Sequence, residues 1–361
     1  MLIVYAVVCI LLSLYSYALI DPNLTFFQTK WWELFREIMI SLGYYHRDTS
    51  WIYYLVLVGA LFLFHFYFVK NYRKLSLSAV SIMVGFITLF AYPFLSHDFF
   101  NYMFDARIAT WYHQNPYIKK AMDFPADPWL RFMHWTHRVY PYGPVFLLLT
   151  LLPSALSFGK FALDFFLFKA LWMSLYLIGV LVLAKQDKKS AVIFATHPLV
   201  IVEGLIANHN DLLGVCLVFI AYYFILKKKK FTSFFFLIGS IGIKYTTLPV
   251  IFRLARSTVR FGFMAALLLL TIYVSFGNEI QPWYFLLLLA FLPEYKNVIG
   301  ELAIFFAGLL LSYFPYIRFG GWDTAGKVLL KHEIIIVFLF MNILYLLIKN
   351  YQRLNRAFLR R

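Results

Sequence analysis

Charge is scarce in this chain. Asp, Glu, Lys and Arg make up 14% of its 361 residues, against about 25% in an ordinary soluble domain. Hydrophobic residues make up 62%, more apolar surface than a water-soluble fold can hide. A soluble enzyme and a disordered chain are excluded. Cysteine is nearly missing: Cys9 and Cys216 each lie in an apolar run, which excludes a disulfide scaffold and leaves no zinc pattern. Acid is scarcer than base, with 17 Asp+Glu against 33 Lys+Arg and a net charge of +16. In a soluble protein that excess would suggest nucleic acid. Here it matches short cytoplasmic loops, which collect Lys and Arg, so no nucleic-acid partner is expected. There is no D-x-D motif, no soluble domain, no linker or low-complexity tract and no clear internal repeat.

What the chain has is a series of apolar runs about long enough to cross roughly 30 Å of hydrocarbon. They cover residues 1–20, 51–69, 76–95, 162–184, 191–206, 212–226, 261–276, 298–316 and 333–348. The first lacks a basic n-region and an A-x-A site, so it reads as a retained helix rather than a removed signal. Basic clusters at Lys70/Arg73/Lys74, Lys185/Lys188/Lys189, Lys227 to Lys230, Arg253/Arg256/Arg260, Lys296 and the tail from Lys349 to Arg361 are expected in the cytoplasm. Placing them all on one side requires short spans at 231–245, 246–254 and 282–293, and requires 144–158 not to cross or to dip and return. The expectation is an all-α polytopic membrane protein, multi-pass in the cell membrane. It has about twelve transmembrane helices and both termini cytoplasmic. Residues 1–96 are its N-terminal helices with an interfacial loop, 97–142 an external loop and 143–361 the rest of one integrated membrane core. Within 21–50, Trp31, Trp32 and Phe35 among charges suit a helix lying in the interface.

Polar chemistry collects at the expected outer side. A structureless loop as long as 97–142 would be unusual, so it should be folded and functional. Its first residues read S-H-D-F-F-N-Y-M-F-D-A-R. On a helix continuing from the preceding span, Asp98, Asn101, Tyr102 and Asp105 fall at i, i+3, i+4 and i+7, on one face. A helix turned to water gives the same pattern, but polar groups at membrane depth are costly and favour function. The loop goes on through Asn115-Pro116-Tyr117 to Tyr140-Pro141-Tyr142-Gly143-Pro144, whose prolines and glycine fix a turn and start a helix. Further along, Asn208-His209-Asn210-Asp211 joins two spans after Glu203. One residue suffices for a cap, and four consecutive polar groups exceed that need. Lys244-Tyr245 sits between apolar stretches, where a lysine snorkels or pairs with an anion such as a lipid phosphate. Gln281-Pro282-Trp283-Tyr284 opens another helix and alone reads as an aromatic belt.

The order S-x-D-x-x-x-Y, N-P-Y, Y-G-P, H-P-L, N-H-N-D, K-Y-T, Q-P-W-Y resembles bacterial polyprenyl-phosphate-mannose-dependent mannosyltransferases of the GT-C superfamily, over roughly residues 95–292. The resemblance implies transfer of a hexose, mannose first among them, from a polyprenyl-phosphate-linked donor to a hydroxyl on a glycolipid, polysaccharide or protein acceptor. The transfer occurs outside the membrane and with inversion. It implies Asp98 as general base, because an inverting displacement needs a carboxylate within reach of the attacking hydroxyl. Lys244, with Tyr245, takes the donor phosphate, and Arg107, His209 or Arg138 are possible helpers. His97, Tyr102, Asp105, Arg107, Asn115, Tyr140, Tyr142, Asn208, His209, Asn210, Asp211, Gln281, Trp283 and Tyr284 are the expected substrate contacts. Asp105 and Asp211 are second candidates for the base. No cofactor is expected and no metal, because the leaving group is already a phosphate anion; His97, Asp98, His209 and Asp211 are the residues that could form a metal site. The principal alternative is a polytopic transporter or lipid flippase, which also uses broken helices and intramembrane charge. A polymerase or ligase using a lipid diphosphate is a second.

Overall fold

The computed structural model describes residues 1–254, 258–275 and 279–358. Arg256, Arg360, Arg361 and the end of the expected span at Phe276 lie outside them. The described residues form helices and loops with no strand. In chain order the helices are α1 (Leu2–Tyr15), α2 (Lys30–Ile40), α3 (Arg47–Lys70), α4 (Leu77–Leu89), α5 (Asp98–Thr110), α6 (Pro144–Leu156), α7 (Phe161–Ala184), α8 (Lys188–Thr196), α9 (Asp211–Leu226), α10 (Lys230–Ile243), α11 (Val259–Ser275), α12 (Leu286–Leu289), α13 (Leu292–Gly300), α14 (Ala303–Leu311) and α15 (Ala325–Phe358). A π-helix at Val200–Ile206 and a 3-10 helix at Tyr245–Leu254 complete the frame.

Among the described residues, five segments are long and apolar enough to cross a membrane: Leu2–Leu19, Arg47–Lys70, Phe161–Ala184, Ala303–Gly320 and Ala325–Gln352. A sixth exists if α8 and the π-helix, bent by 67°, act as one broken span. The bend has a local cause. Pro198 disfavours helical geometry at the residue before it, and His197 is extended at ψ 124°. About twelve crossings were expected, and length and composition supply five or six. The difference lies in α4, α9, α10 and α11, apolar helices of 10–17 residues, at most about 25 Å long; α6, over the segment not expected to cross, is an apolar helix of the same size class. The expected short span 246–254 is a ten-residue 3-10 helix, and 282–293 is a 3-10 turn followed by the four-residue α12.

α9 is the centre of the bundle, packed between α7 and α10, while α14 pairs with α15 and α5 with α6. Small residues permit one approach that shapes the site. A Cβ on Gly143, at the start of α6, would fall 2.0 Å from the Gly242 carbonyl oxygen near the end of α10.

Several basic segments meet at one end of this bundle. Lys188 donates to the Arg73 carbonyl at 3.0 Å, Lys296 pairs with Asp187 at 2.7 Å, and Lys185 and Lys227 both lie against the Tyr223 ring. α7 ends at this cluster, and so does α9, whereas α10 begins there. The start of α9 at Asp211 and the end of α10 at Lys244 therefore lie about 20 Å away, at the opposite end.

Candidate active site

α4 stops at Leu89, earlier than the apolar run suggested. The helix does not continue into the polar segment. Residues 90–97 form a non-helical strap, with the Tyr92 N–H donating to Ser16 Oγ at 2.8 Å and Pro93 unable to donate. α5 then starts afresh at Asp98, so the expected face of Asp98, Tyr102 and Asp105 is preserved within one helix. Asp98 is the member that keeps access, with 15% of its side chain exposed. Burial pushes its carboxyl above the ordinary range, opposed by Arg138, Lys244 and a bond from Trp135. Tyr102 is buried beneath it, stacked on Trp172 and hydrogen-bonded to Tyr142.

The His209 turn faces Asp98. Its Nδ1 lies 3.9 Å from Asp98 Oδ2 and its Nε2 lies 3.3 Å from Glu203 Oε2. The ring stacks on Trp283 with centroids 3.8 Å apart and an angle of 14°. The turn is tight enough to force Asn208 to φ +57°, a left-handed conformation that asparagine tolerates better than most residues. Two side chains from α7 hold it. Lys169 donates to the Ile206 carbonyl at 2.8 Å, with Leu205 at 3.4 Å, and Trp172 donates to the His209 carbonyl at 3.1 Å. Lys169 therefore places a buried donor at the C-terminal end of the π-helix, where carbonyls are left without intrahelical partners. Asn208 and Asn210 are fully buried beside this turn, and their amides have no hydrogen-bond partner among the described residues. Replacing Lys169 with methionine strips two carbonyls of their donor while keeping most of the volume. The expected outcome is a loss of about 2 kcal/mol or more, read as a lower melting temperature, with transfer falling further than the folded fraction.

Lys244 and Asp211 complete the cluster with an ion pair at 2.5 Å, their side chains 16% and 4% exposed. The Lys244 ammonium also lies 5.3 Å from the Tyr284 ring centre. Asp98, His209, Asp211, Lys244, Trp283 and Tyr284, drawn from five segments, thus form one polar floor at the end of the bundle away from the basic loops. Chemically the floor offers a carboxylate with solvent access, a movable cation and an imidazole backed by a second carboxylate. A family model described as alpha-(1->6)-mannopyranosyltransferase, N-terminal domain (MptA_B family) matches residues 23–260. The chain belongs to this family. It is a membrane mannosyltransferase in class, and the likeness read from the motif order is borne out at that level. No curated protein and no solved structure matches it.

The mannosyltransferase match takes in Asp98, the His209 turn and Lys244, and ends before Trp283, Tyr284 and α12 to α15. Some expected residues stand apart from the floor. Arg107 lies nine residues beyond Asp98, about 180° around α5, where it pairs with Asp127 at 2.7 Å and covers the Trp129 ring. Asn115 is exposed and caps its own turn through Tyr117 N–H. Tyr140 packs on Tyr117 and Tyr142, so N-P-Y and Y-P-Y-G-P form one strap over the start of α6. Tyr245 is exposed. His97 stacks against His134 rather than joining His209, and among the described residues no three His, Cys, Asp or Glu side chains gather as a metal site. Gln281 turns to Lys331, which donates to it at 2.7 Å and also reaches Glu279 at 3.2 Å. Trp135, Trp172 and Lys331 escaped the sequence reading. Lys331 lies on α15, six residues past the helix start and ahead of the run beginning at 333.

Asp105 is buried further along the α5 face, and burial raises its carboxyl from 3.8 to about 7. The folded protein therefore holds a proton between pH 3.8 and about 7 that the unfolded chain has released, so stability falls as pH rises through that window and levels off above it. Asp105→Asn removes the ionisation. Its melting temperature should exceed the parent's by about 3 °C or more at pH 8 and match it at pH 4.

Proposed function

We propose that the enzyme transfers mannose, with inversion, from a polyprenyl-phosphate carrier to the 6-hydroxyl of a mannose in an acceptor glycan, on the outer side of the cell membrane. The observation that carries this reading is the convergence of Asp98, His209 and the Lys244–Asp211 pair at the bundle end remote from the basic loops. The acceptor linkage follows the family's description. A lipid-linked donor suits a floor reached from the membrane, and the positive-inside rule puts the basic end in the cytoplasm. The shorter apolar helices then act as partial crossings of a GT-C-type bundle.

In this reading the acceptor hydroxyl attacks the sugar's anomeric carbon from the face opposite the phosphate. The new C–O bond forms as the bond to the phosphate oxygen breaks, and the electron pair leaves with the phosphate. Asp98 takes the hydroxyl proton. Lys244 turns from Asp211 to the leaving phosphate, assisted by Arg138. Trp283 and Tyr284 wall the sugar, and Asn208 and Asn210 supply amides for its hydroxyls.

The test uses purified enzyme in lipid, synthetic polyprenyl-phosphate-mannose, and mannose acceptors with and without a 6-hydroxyl. Product is expected from the lipid donor and the intact acceptor alone, with or without chelator. Transfer from a nucleotide sugar but not from the lipid donor would overturn the donor, and equal transfer to the 6-deoxy acceptor would overturn the linkage.

A further inference from the structure

His209 sits between two carboxylates rather than beside one. Asp98 lies 3.9 Å from Nδ1, and Glu203 lies 3.3 Å from Nε2. Asp98 comes from α5, whereas Glu203 comes from the π-helix, whose carbonyl at residue 203 also accepts the His209 N–H at 3.0 Å. The imidazole is wholly buried, clamped on one face by Trp283. Among the described residues, these two acids are the charged groups that approach its ring nitrogens. The Glu203 carboxylate is fully buried, and neither oxygen meets hydrogen-bond criteria with a described residue. A buried carboxylate aimed at an imidazole is costly as mere packing.

We propose that Glu203 and His209 form a proton relay behind Asp98, with Glu203 as the positioning residue that holds the imidazole and stabilises its charged form. This rests on the reading of Asp98 as the base. When the acceptor oxygen bonds to the sugar carbon, its proton passes to Asp98. The protonated carboxyl closes on Nδ1 and passes the proton to it. The imidazolium then donates from Nε2 to the Glu203 carboxylate. One proton moves from acceptor to His209, no electron is transferred, and Asp98 is an open carboxylate again while the phosphate leaves. A carboxylate backing an imidazole is shared with the hydrolase triad, although here a second carboxylate stands where that triad has its hydroxyl.

Other charges act on this relay. Lys244, Asp211 and Arg138 face Asp98. Lys331 from α15 and Asp211 act on Glu203, and the Tyr313 hydroxyl lies beside it. Lys244 acts on the His209 ring as well.

The experiment compares Glu203→Gln, Glu203→Asp and His209→Gln with the parent in the lipid-donor assay, over pH 5 to 9, with melting temperatures measured alongside. Glu203→Gln is expected to fold, to bind donor with an unchanged KM, to lose about 100-fold in kcat, and to displace the acid limb that Asp98 sets in the pH profile. Glu203→Asp should recover part of the rate and return the limb toward its parent position. A Glu203→Gln enzyme with the parent's pH profile, its rate reduced only in proportion to folded protein, would overturn the relay and leave Glu203 as packing. Should Glu203→Gln not fold, His209→Gln carries the same test, because the relay demands the same displacement of the acid limb. Failure of the underlying reading looks different: Asp98→Asn would then retain transfer, whatever happened at Glu203.

Discussion

Asp98→Asn should reduce transfer about 1000-fold while the donor still binds. General-base groups contribute about 10²–10⁴ in rate, and asparagine keeps the shape of aspartate without its proton affinity. The substitution removes a charge that is 15% exposed and raised by burial, so stability should hold or improve slightly. If Asp98 is the base, activity in the parent requires the ionised carboxylate. Because burial raises the carboxyl, the rate should fall as pH drops through a value above the ordinary aspartate range, and that limb should vanish in the residual activity of Asp98→Asn. Donor binding measured by lipid-exchange fluorescence, kcat by product formation and the pH profile together make the check. Undiminished transfer would move the base to Asp105 or Asp211, and the pH profile separates the two. Asp105 has a carboxyl near 7 and faces Arg138, whereas Asp211 is held by Lys244.

The helical, membrane-embedded character was legible because apolar runs and sparse charge leave no other fold. Asp98 and Asp105 were legible because seven residues of helix return to nearly the same face, about 20° apart. The same arithmetic condemns Arg107, whose nine-residue offset turns it away. It looked like a partner only because it is close in sequence. The crossing number was not legible. Helices of 13 to 17 residues are apolar enough to resemble spans, and only their ends, set by Pro198, by the strap after Leu89 and by Lys244, show how short they are. Glu203, Lys169 and Lys331 were least legible. Each is an ionisable residue whose meaning depends on a partner that only the folded chain brings to it: Glu203 on the His209 ring across a tight turn, Lys169 on carbonyls 36 and 37 residues on, Lys331 on Gln281. A sequence lists such charges but cannot pair them.

The pairing of Lys244 with Asp211 allows a sharp separation of structure from catalysis. Lys244→Met leaves a carboxylate that is 4% exposed without its cation, and breaking a buried pair on one side costs about 3–5 kcal/mol. The single variant should therefore melt well below the parent and transfer poorly, a result that alone says nothing about phosphate. Asp211→Asn combined with Lys244→Met removes both charges. Its melting temperature should return close to the parent's, since a neutral pair of similar volume carries no ionic desolvation penalty. If Lys244 serves only to neutralise Asp211, the double variant transfers mannose at the parent's rate. If the ammonium moves to the leaving phosphate, the double variant is folded but slow, by about 100-fold or more in kcat, as is typical when one transition-state charge partner is removed. The second result is expected. The Lys244 side chain keeps 16% exposure while Asp211 is sealed, so the ammonium is the half of the pair that an incoming anion can reach. Arginine at 244 should then restore part of the rate in the presence of Asp211, because it keeps the charge with a different reach.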